Sequence, residues 1–275
     1  MHLSGLFIYP VKSLRGFAVS VAEVDALGLV GDRRFLVVDE NNRFLTQRAL
    51  PQMARIATKL DPRSLELSAE GAGTIAVARA SDPATPLRTV TVWKSGNLLA
   101  EDCGDAPAAW LSDFLRTKCR LVRIGAKFRR PIFKPPFTQP GDVVSFADGF
   151  PFLVVGEASL GHLNDRLVAQ GEEAVPMNRF RPNLVVNGCP PFAEDTWPRV
   201  RIGEIVLRAG GPCARCIVTT TDQLTGERGR EPLRTLATFR RDASDPTNVN
   251  FGQNLIPETK TGTLRVGDVV TVLSA

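Results

Sequence analysis

Two cysteines lie three residues apart in the stretch GGPCARCIVTTTD: Cys213 and Cys216, with Arg215 between them. Paired thiols at this spacing serve zinc, iron–sulfur clusters, redox disulfides or a single soft-metal thiolate. A structural zinc site takes four ligands, either two such pairs or one pair with two histidines. This sequence has one pair, and its only histidines, His2 and His162, are far apart; a zinc-dependent interaction module would rest on the pair alone. Iron–sulfur ligation asks for a four-cysteine run, which is absent. A thioredoxin-like pair opens a helix after a strand, whereas this pair reads as a turn running into a strand, CIVTTTD. Two readings stay open: one cysteine as a lone thiolate to a metal held mainly by other groups, or two small buried hydrophobes.

Basic side chains recur at loop ends. YPVKSLRG sets Lys12 and Ser13 after a strand, and GDRRF sets Arg33 and Arg34 after a Gly-Asp turn. NRFRPNLVVNG sets Arg179, Arg181 and Asn183 at the entry to another strand, and Arg215 lies beside the thiols. Arginine and lysine with Asn and Ser beside them suit a phosphate and a polar heterocycle. Any one of them alone reads as a surface charge.

The elements that must position these residues are mostly strands. HLSGLFIYPV, AVSVAEVDAL, RRFLVVDE, ARIATKL, SLELSAE, TIAVARA and LRTVTVW are short, rich in β-branched residues and separated by Gly, Asn, Asp and Pro. A helix follows, capped by Asp105, with Trp110, Leu111, Phe114 and Leu115 on one face. KFRRPIFKPPFTQPGD (Lys127–Asp142) is too proline-rich for regular structure and too aromatic for a flexible linker. The second half opens with the apolar strand FPFLVV and a helix over Gly156–Gly171, with Leu160, Leu163 and Leu167 at helical spacing. PNLVVNG and RVRIGEIVLR read as strands, Glu231–Arg241 as a short amphipathic helix, and TLRVGDVVTVL as a closing strand with a Gly-Asp turn. The fold class is α+β and predominantly β, a barrel-like β-rich unit over residues 1–118 followed by a second β-barrel unit with a few short helices over 119–275.

At 275 residues with 43% hydrophobic content the chain can bury a core without staples. No apolar run reaches the length of a membrane span, and the N-terminus has no secretory pattern. Five cysteines without framework spacing argue for a reducing compartment, with the cytoplasm expected. The net charge is +5, with a basic cluster in KFRRPIFK. Such a patch suits anionic ligands or acidic partners; no nucleic-acid-binding signature accompanies it, and neither nucleic acid nor membrane is an expected partner.

Taken together, YPVKSLRG, GDRRFLVVDE, FLTQR, DCGDAPAAWLSDFL, SFADGFPFLVVGEASL, NRFRPNLVVNG, PCARCIVTTTD, EPLRTLATFR, NFGQNL and RVGD occur in an order that resembles the MOSC-domain proteins. The resemblance is to the branch with a preceding MOSC N-terminal β-barrel domain, which includes the mitochondrial amidoxime-reducing component and the YcbX-type hydroxylaminopurine reductases. It implies a mononuclear molybdenum–pyranopterin cofactor, with no pyridoxal phosphate, and a detoxifying oxidoreductase of N-hydroxylated compounds. By residue matching, Cys216 is the implied metal ligand. Lys12, Ser13, Arg33, Arg181, Asn183, Ala214 and Arg215 fall on implied cofactor contacts, as do Gly149 and Phe150 through their backbone. Cys213 matches a thiol that is not the ligand, and Asp148 matches an acidic position near the metal, an implied proton relay.

Mitochondrial members of that branch begin with a membrane anchor, and some bacterial members end in a ferredoxin-like domain. Neither is read here, so electrons are expected from a separate flavoprotein, ferredoxin or cytochrome b5-type protein, docking on the basic KFRRPIFKPPF loop. A monomer is expected. The rival expectation is a non-catalytic carrier of the cofactor or of a sulfur atom on Cys216.

Overall fold

The computed structural model describes residues 1–80 and 84–274. It is mostly β, in four sheets among the described residues. The largest has eight strands in the order Val270–Leu273, Arg199–Ile202, Ile205–Ala214, Asn250–Pro257, Phe152–Gly156, Leu184–Asn187, His2–Ile8 and Phe17–Val19. All its pairings are antiparallel except Phe152–Gly156 against Leu184–Asn187. That parallel pair needs a long crossover, supplied by the helix Glu157–Ala169.

The first strand of the chain thus completes a sheet made mainly by the second half. Conversely, Cys119–Arg123 pairs with Phe35–Asp39 and Ser95–Asp102 in a four-stranded sheet that ends at Leu87–Val92. The two remaining sheets, both antiparallel, are Ala57–Leu60, Ser64–Ala69 and Gly73–Ala78, and Gly262–Arg265, Val21–Asp25 and Gly28–Leu29. The halves are interleaved through hydrogen bonds, so side chains distant in sequence meet on a rigid frame.

FLVVG, Phe152–Gly156, is a continuous apolar run because both its faces are covered. Phe152 and Val154 join the core of the large sheet with Leu3, Leu6, Leu184 and Leu255. Leu153 and Val155 face the other way, into a cluster with Leu163, Leu167, Phe180 and Phe251. Helix Asp105–Leu115 turns Leu111 and Leu115 into a third cluster with Val37, Met53 and Leu65.

Gly252 sits at φ +79°, and a Cβ there would lie 2.7 Å from the Val154 carbonyl oxygen. Backbone cannot yield as a side-chain tip would. Gly252→Ala is therefore expected to destabilise the protein by about 2 kcal/mol or more, read as a lower thermal midpoint; an unchanged midpoint would mean the sheet tolerates a second backbone course.

Several local expectations are corrected. CIVTTTD is not a strand: Ile217–Thr220 form a 3-10 turn, with Cys216 immediately before it. Thr219 and Thr220 donate their hydroxyls to the Cys216 and Ile217 carbonyls, giving the β-branched run a local alternative to a ladder. Asp105 is the first helical residue rather than the cap, which is Gly104. The helix expected over Glu231–Arg241 is regular only at Leu233–Leu236; Arg240 leaves it to bond the Asn250 carbonyl and Asp195. TLRVGDVVTVL is two strands in two sheets, Gly262–Arg265 and Val270–Leu273. The strands Ser95–Asp102 and Cys119–Arg123 carried no sequence expectation; SGNLLAED in particular has little β propensity and is held by its neighbours.

Candidate functional site

The strand Ile205–Ala214 delivers the cysteine pair. Its register against Asn250–Pro257 slips between Ala209 and Gly211 and again between Pro212 and Ala214. Bulges of this kind bend a strand and re-aim its side chains. GGPC has the residues for it: Gly211 takes φ +92°, and Pro212 offers no donor to a ladder. Cys213 is still in the strand, and Cys216 lies just beyond it, both half-buried.

Both thiols line a cavity of about 1270 Å³. The eleven residues matched to implied site positions all reach its wall: Lys12, Ser13, Arg33, Asp148, Gly149, Phe150, Arg181, Asn183, Ala214, Arg215 and Cys216; of the other loop-end arginines, Arg34 pairs with Asp25 and Arg179 with Asp222, away from its lining. Nine cationic residues line it against one carboxylate, Asp148. No three of His, Cys, Asp and Glu gather closely enough to hold a metal ion among the described residues. A metal here would need ligands beyond one protein sulfur, brought by a group whose negative charge the walls balance.

Two tiers of positive charge are distinguishable by burial. Lys12, Arg130 and Arg181 are buried, while Arg43, Lys94 and Lys134 are exposed at the rim. The buried Tyr9 ring has two guanidinium groups against it, Arg33 at 4.5 Å and Arg181 at 4.3 Å. Each such contact is worth about 1 kcal/mol, enough to help hold two like charges side by side. Burial also drives the Tyr9 hydroxyl up to about 12, keeping it neutral. Arg33 donates to Asp32 at 2.7 Å, to Asn183 Oδ1 at 3.1 Å and to the Arg181 carbonyl at 3.2 Å. Burial opposes the Arg33 charge, but Asp32 outweighs it and raises the pKa. Arg181 has no carboxylate bonded to it; burial and then Arg33 push it down to about 10, and it stays charged at neutral pH.

Ser13, Arg33, Trp93 and Arg181 line the cavity with positive φ values of 48° to 68°. Non-glycine residues held there cost free energy, and such outliers cluster at ligand clamps. The Nε of Arg215 is buried without a hydrogen-bond partner among the described residues, while its other nitrogens hold Cys213 Sγ at 2.8 Å and the Phe180 carbonyl at 2.7 Å. An orphaned guanidinium donor and a strained cationic wall are the chemistry of a site for an anionic ligand, with two thiols at its edge.

Lys12 Nζ makes a close ion pair with Asp148 Oδ1. Burial pulls Lys12 down to about 8, against the pull of Asp148. The Asp148 side chain is 59% exposed, and Lys12, Arg48 and the Trp93 indole hold its carboxyl far below the usual range. Asp148 is therefore an acceptor at neutral pH, and the group nearest to giving up a proton is Lys12. The loop carrying Asp148, Gly149 and Phe150 is held by Arg130, which donates to the carbonyls of Ser145, Ala147 and Asp148. Lys134 lies 4.8 Å over the Phe150 ring.

The basic loop is thus only partly a solvated surface. Phe128 and Arg130 turn inward, and Asp142 closes the loop onto buried Arg208. Lys127, Arg129 and Phe133 face outward, Phe133 at 88% exposure.

Sequence reasoning assigned no role to Arg48, Trp93 or Arg130. Arg48 belongs to FLTQR, a stretch noted only as part of a pattern. Trp93 ends a run read wholly as strand, and Arg130 sat in a cluster read as surface.

The environments of the five thiols separate them. Burial pushes Cys103 up to about 12 and also raises Cys119 and Cys189. Brief iodoacetamide treatment of metal-free protein at neutral pH is expected to label Cys213 and Cys216 first. Peptide mapping that finds Cys103 labelled ahead of both would contradict this cavity.

Comparison with known families decides what the chain is related to. Residues 1–118 match the MOSC N-terminal beta barrel domain, and residues 141–271 match the MOSC domain. Mitochondrial amidoxime-reducing component 1 of Homo sapiens is 37% identical over 98% of this chain and 82% of its own length. The chain is a MOSC-domain protein. Mitochondrial amidoxime reducing component 2 of Bos taurus is 36% identical over the same shares, 98% and 82%. Among solved structures, the YuaD protein of Bacillus subtilis aligns over 98% of this chain and 92% of its own at 12% identity and a TM-score of 0.42. In this MOSC protein the cavity draws on both matched regions, Lys12 and Arg33 from the first, Asp148, Arg181 and Cys216 from the second. No helix among the described residues is long and apolar enough to cross a membrane.

Proposed function

We propose that this MOSC protein is a molybdenum cofactor-dependent reductase of N-hydroxylated compounds (hydroxylamines, amidoximes and N-hydroxylated bases), supplied with electrons by a separate protein. The observation that carries the reading is a half-buried Cys216 sulfur, just beyond the end of its strand, at a cavity walled by cations from both halves of the chain. The 33–37% identity to proteins named for amidoxime reduction supports the reaction class.

In this reading Cys216 supplies the thiolate to the metal. Lys12, Ser13, Arg33, Arg181, Asn183, Ala214 and Arg215 cradle the pyranopterin and its phosphate, with Gly149 and Phe150 contributing backbone. Bound there, the cofactor supplies the two-electron chemistry that converts an N–O bond and two protons into an N–H bond and water. The remaining work belongs to the protein. Arg33 and Arg181, pre-stacked on Tyr9, need no reorganisation to receive an anion. Asp148 Oδ1 holds the ammonium of Lys12, a buried acid placed to pass protons. Cys213 keeps a structural part, inside the strand and packed against the Leu153–Phe251 cluster.

Residues 1–118 and 119–275 are proposed as the two sequence domains, although their strands are shared. The donor protein is proposed to dock through the outward face of the basic loop, Lys127, Arg129, Phe133 and Lys134, against an acidic surface. The protein is proposed to act as a monomer in the cytoplasm.

The test is metal and pterin analysis of the purified protein, paired with reduction of N-hydroxylaminopurine or benzamidoxime by a chemical reductant. Molybdenum near one per chain with turnover is the expected result. Molybdenum without turnover would make the protein a carrier, and zinc at one per chain would overturn the mechanism.

A further inference from the structure

Arg48 has been given no part so far, yet it touches two residues of the proposed reaction. Its Nη2 lies 3.1 Å from Cys216 Sγ and 3.7 Å from Asp148 Oδ2. Its guanidinium carbon sits 4.4 Å over the Trp93 ring. Trp93 closes the arrangement by donating its indole N–H to Asp148 Oδ1 at 3.1 Å. A guanidinium can stack on an aromatic face and bond along its edge at once, and both are used here.

The segment carrying Arg48 is fastened to the segment carrying Cys216. Arg228 donates to the Arg48 carbonyl at 3.2 Å and also to the Gln47 carbonyl. The buried Gln47 exchanges hydrogen bonds of 3.1 Å with Gln223 and donates to the Ser13 carbonyl at 2.8 Å. Thr221 bridges Arg228, closing the loop that begins just after Cys216. The contact of Arg48 with the sulfur spans 168 residues of sequence and the two Arg228 contacts span 180 and 181, so both segments are tied together only by the fold. A solvated surface arginine would have neither the clamp nor the stack.

We infer that Arg48 is a positioning residue that fastens the Cys216 sulfur and the Asp148 carboxylate to one guanidinium, with Trp93 as its platform. The inference rests on the function proposed above. The group it serves is the reacting end of the cavity, as distinct from the deep cradle of Arg33 and Arg181. Losing it leaves the cradle intact and lets the sulfur and carboxylate reorient independently.

The experiment compares Arg48→Met, Arg48→Lys, Asp148→Asn and the double variant R48M/D148N. It reads thermal midpoint, molybdenum per chain, the EPR spectrum of the half-reduced metal, and kcat and KM for benzamidoxime. Arg48→Met is expected to keep its midpoint within a few degrees and its molybdenum within about twofold, with a displaced EPR signal. Its kcat falls about 10- to 100-fold, the range for partners that orient a metal ligand, while KM moves less than about threefold. Arg48→Lys does not restore kcat, since an ammonium cannot both stack and bridge. The double variant loses no more than the worse single one, because the two residues act as a unit.

Wild-type turnover per molybdenum in Arg48→Met, additive losses in the double variant, or a loss wholly explained by missing metal or unfolding would each overturn the inference. Wild-type protein that binds molybdenum without turnover would overturn the reductase reading instead; the EPR comparison would still decide the role of Arg48.

Discussion

Cys216→Ala is expected to abolish reduction of N-hydroxylated substrates and to strip the purified protein of molybdenum, whereas Cys213→Ala keeps both. The two sulfurs are three residues apart but differ in what surrounds them. The register slip beside Pro212 leaves Cys213 in the strand, packed at the edge of the Leu153–Phe251 cluster, with its sulfur held by Arg215 Nη1. Cys216 has left the strand, and its sulfur meets Arg48 within the cationic cavity. If Cys216 is the metal ligand as proposed, replacing it should exceed the 10- to 100-fold loss usual for an outer partner, so a fall of at least about 100-fold is expected. Cys213→Ala removes one sulfur contact and should cost about 1 kcal/mol of stability. Metal analysis and initial rates on the two variants check this; the reverse pattern would place the metal on Cys213.

Arg181→Met is expected to move stability and cofactor content in opposite directions. Arg181 is buried, bonded to Gln223 at 3.2 Å, stacked on Tyr9 and disfavoured by Arg33; among the described residues no carboxylate bonds it, and the more distant Asp32 and Asp148 offset its desolvation only in part. Removing a buried charge of this kind is neutral or stabilising for the fold. The metal-free variant should therefore melt at or above the wild-type midpoint. A charge-assisted hydrogen bond to the cofactor is worth about 1.5–3 kcal/mol, so cofactor affinity should fall about 10- to 100-fold. Arg33→Met makes the contrast. Arg33 pairs with Asp32, which is 1% exposed, and its removal strands that carboxylate. Breaking a buried pair costs about 3–5 kcal/mol, so Arg33→Met should lose both cofactor and stability. A lower midpoint for metal-free Arg181→Met, or unchanged molybdenum content, would show that Arg181 serves packing rather than an anion.

Much of this was readable along the chain. The β-branched runs marked their strands because alternating or continuous apolar residues declare how many faces are covered. FLVV is apolar throughout, and both its faces are buried. The cysteine spacing and the basic residues at loop ends pointed to one thiolate and an anion. Where local chemistry competed, reading along the chain went astray: the threonines after Cys216 bond backward to their own turn instead of extending it.

The constellation itself came from folding. Lys12 reaches Asp148 across 136 residues and Arg48 reaches Cys216 across 168, separations over which side-chain propensity carries no information. Strand order, the crossover that places His2–Ile8 beside Leu184–Asn187, and the two register slips beside Cys213 set those distances. Residue types thus determined which chemistry was available, since charge, softness and hydrogen-bonding capacity are local properties. Which groups share one cavity, which arginine is paired directly with a carboxylate and which arginine meets each sulfur were decided by the tertiary structure, because they depend on backbone paths that meet only after the sheets close.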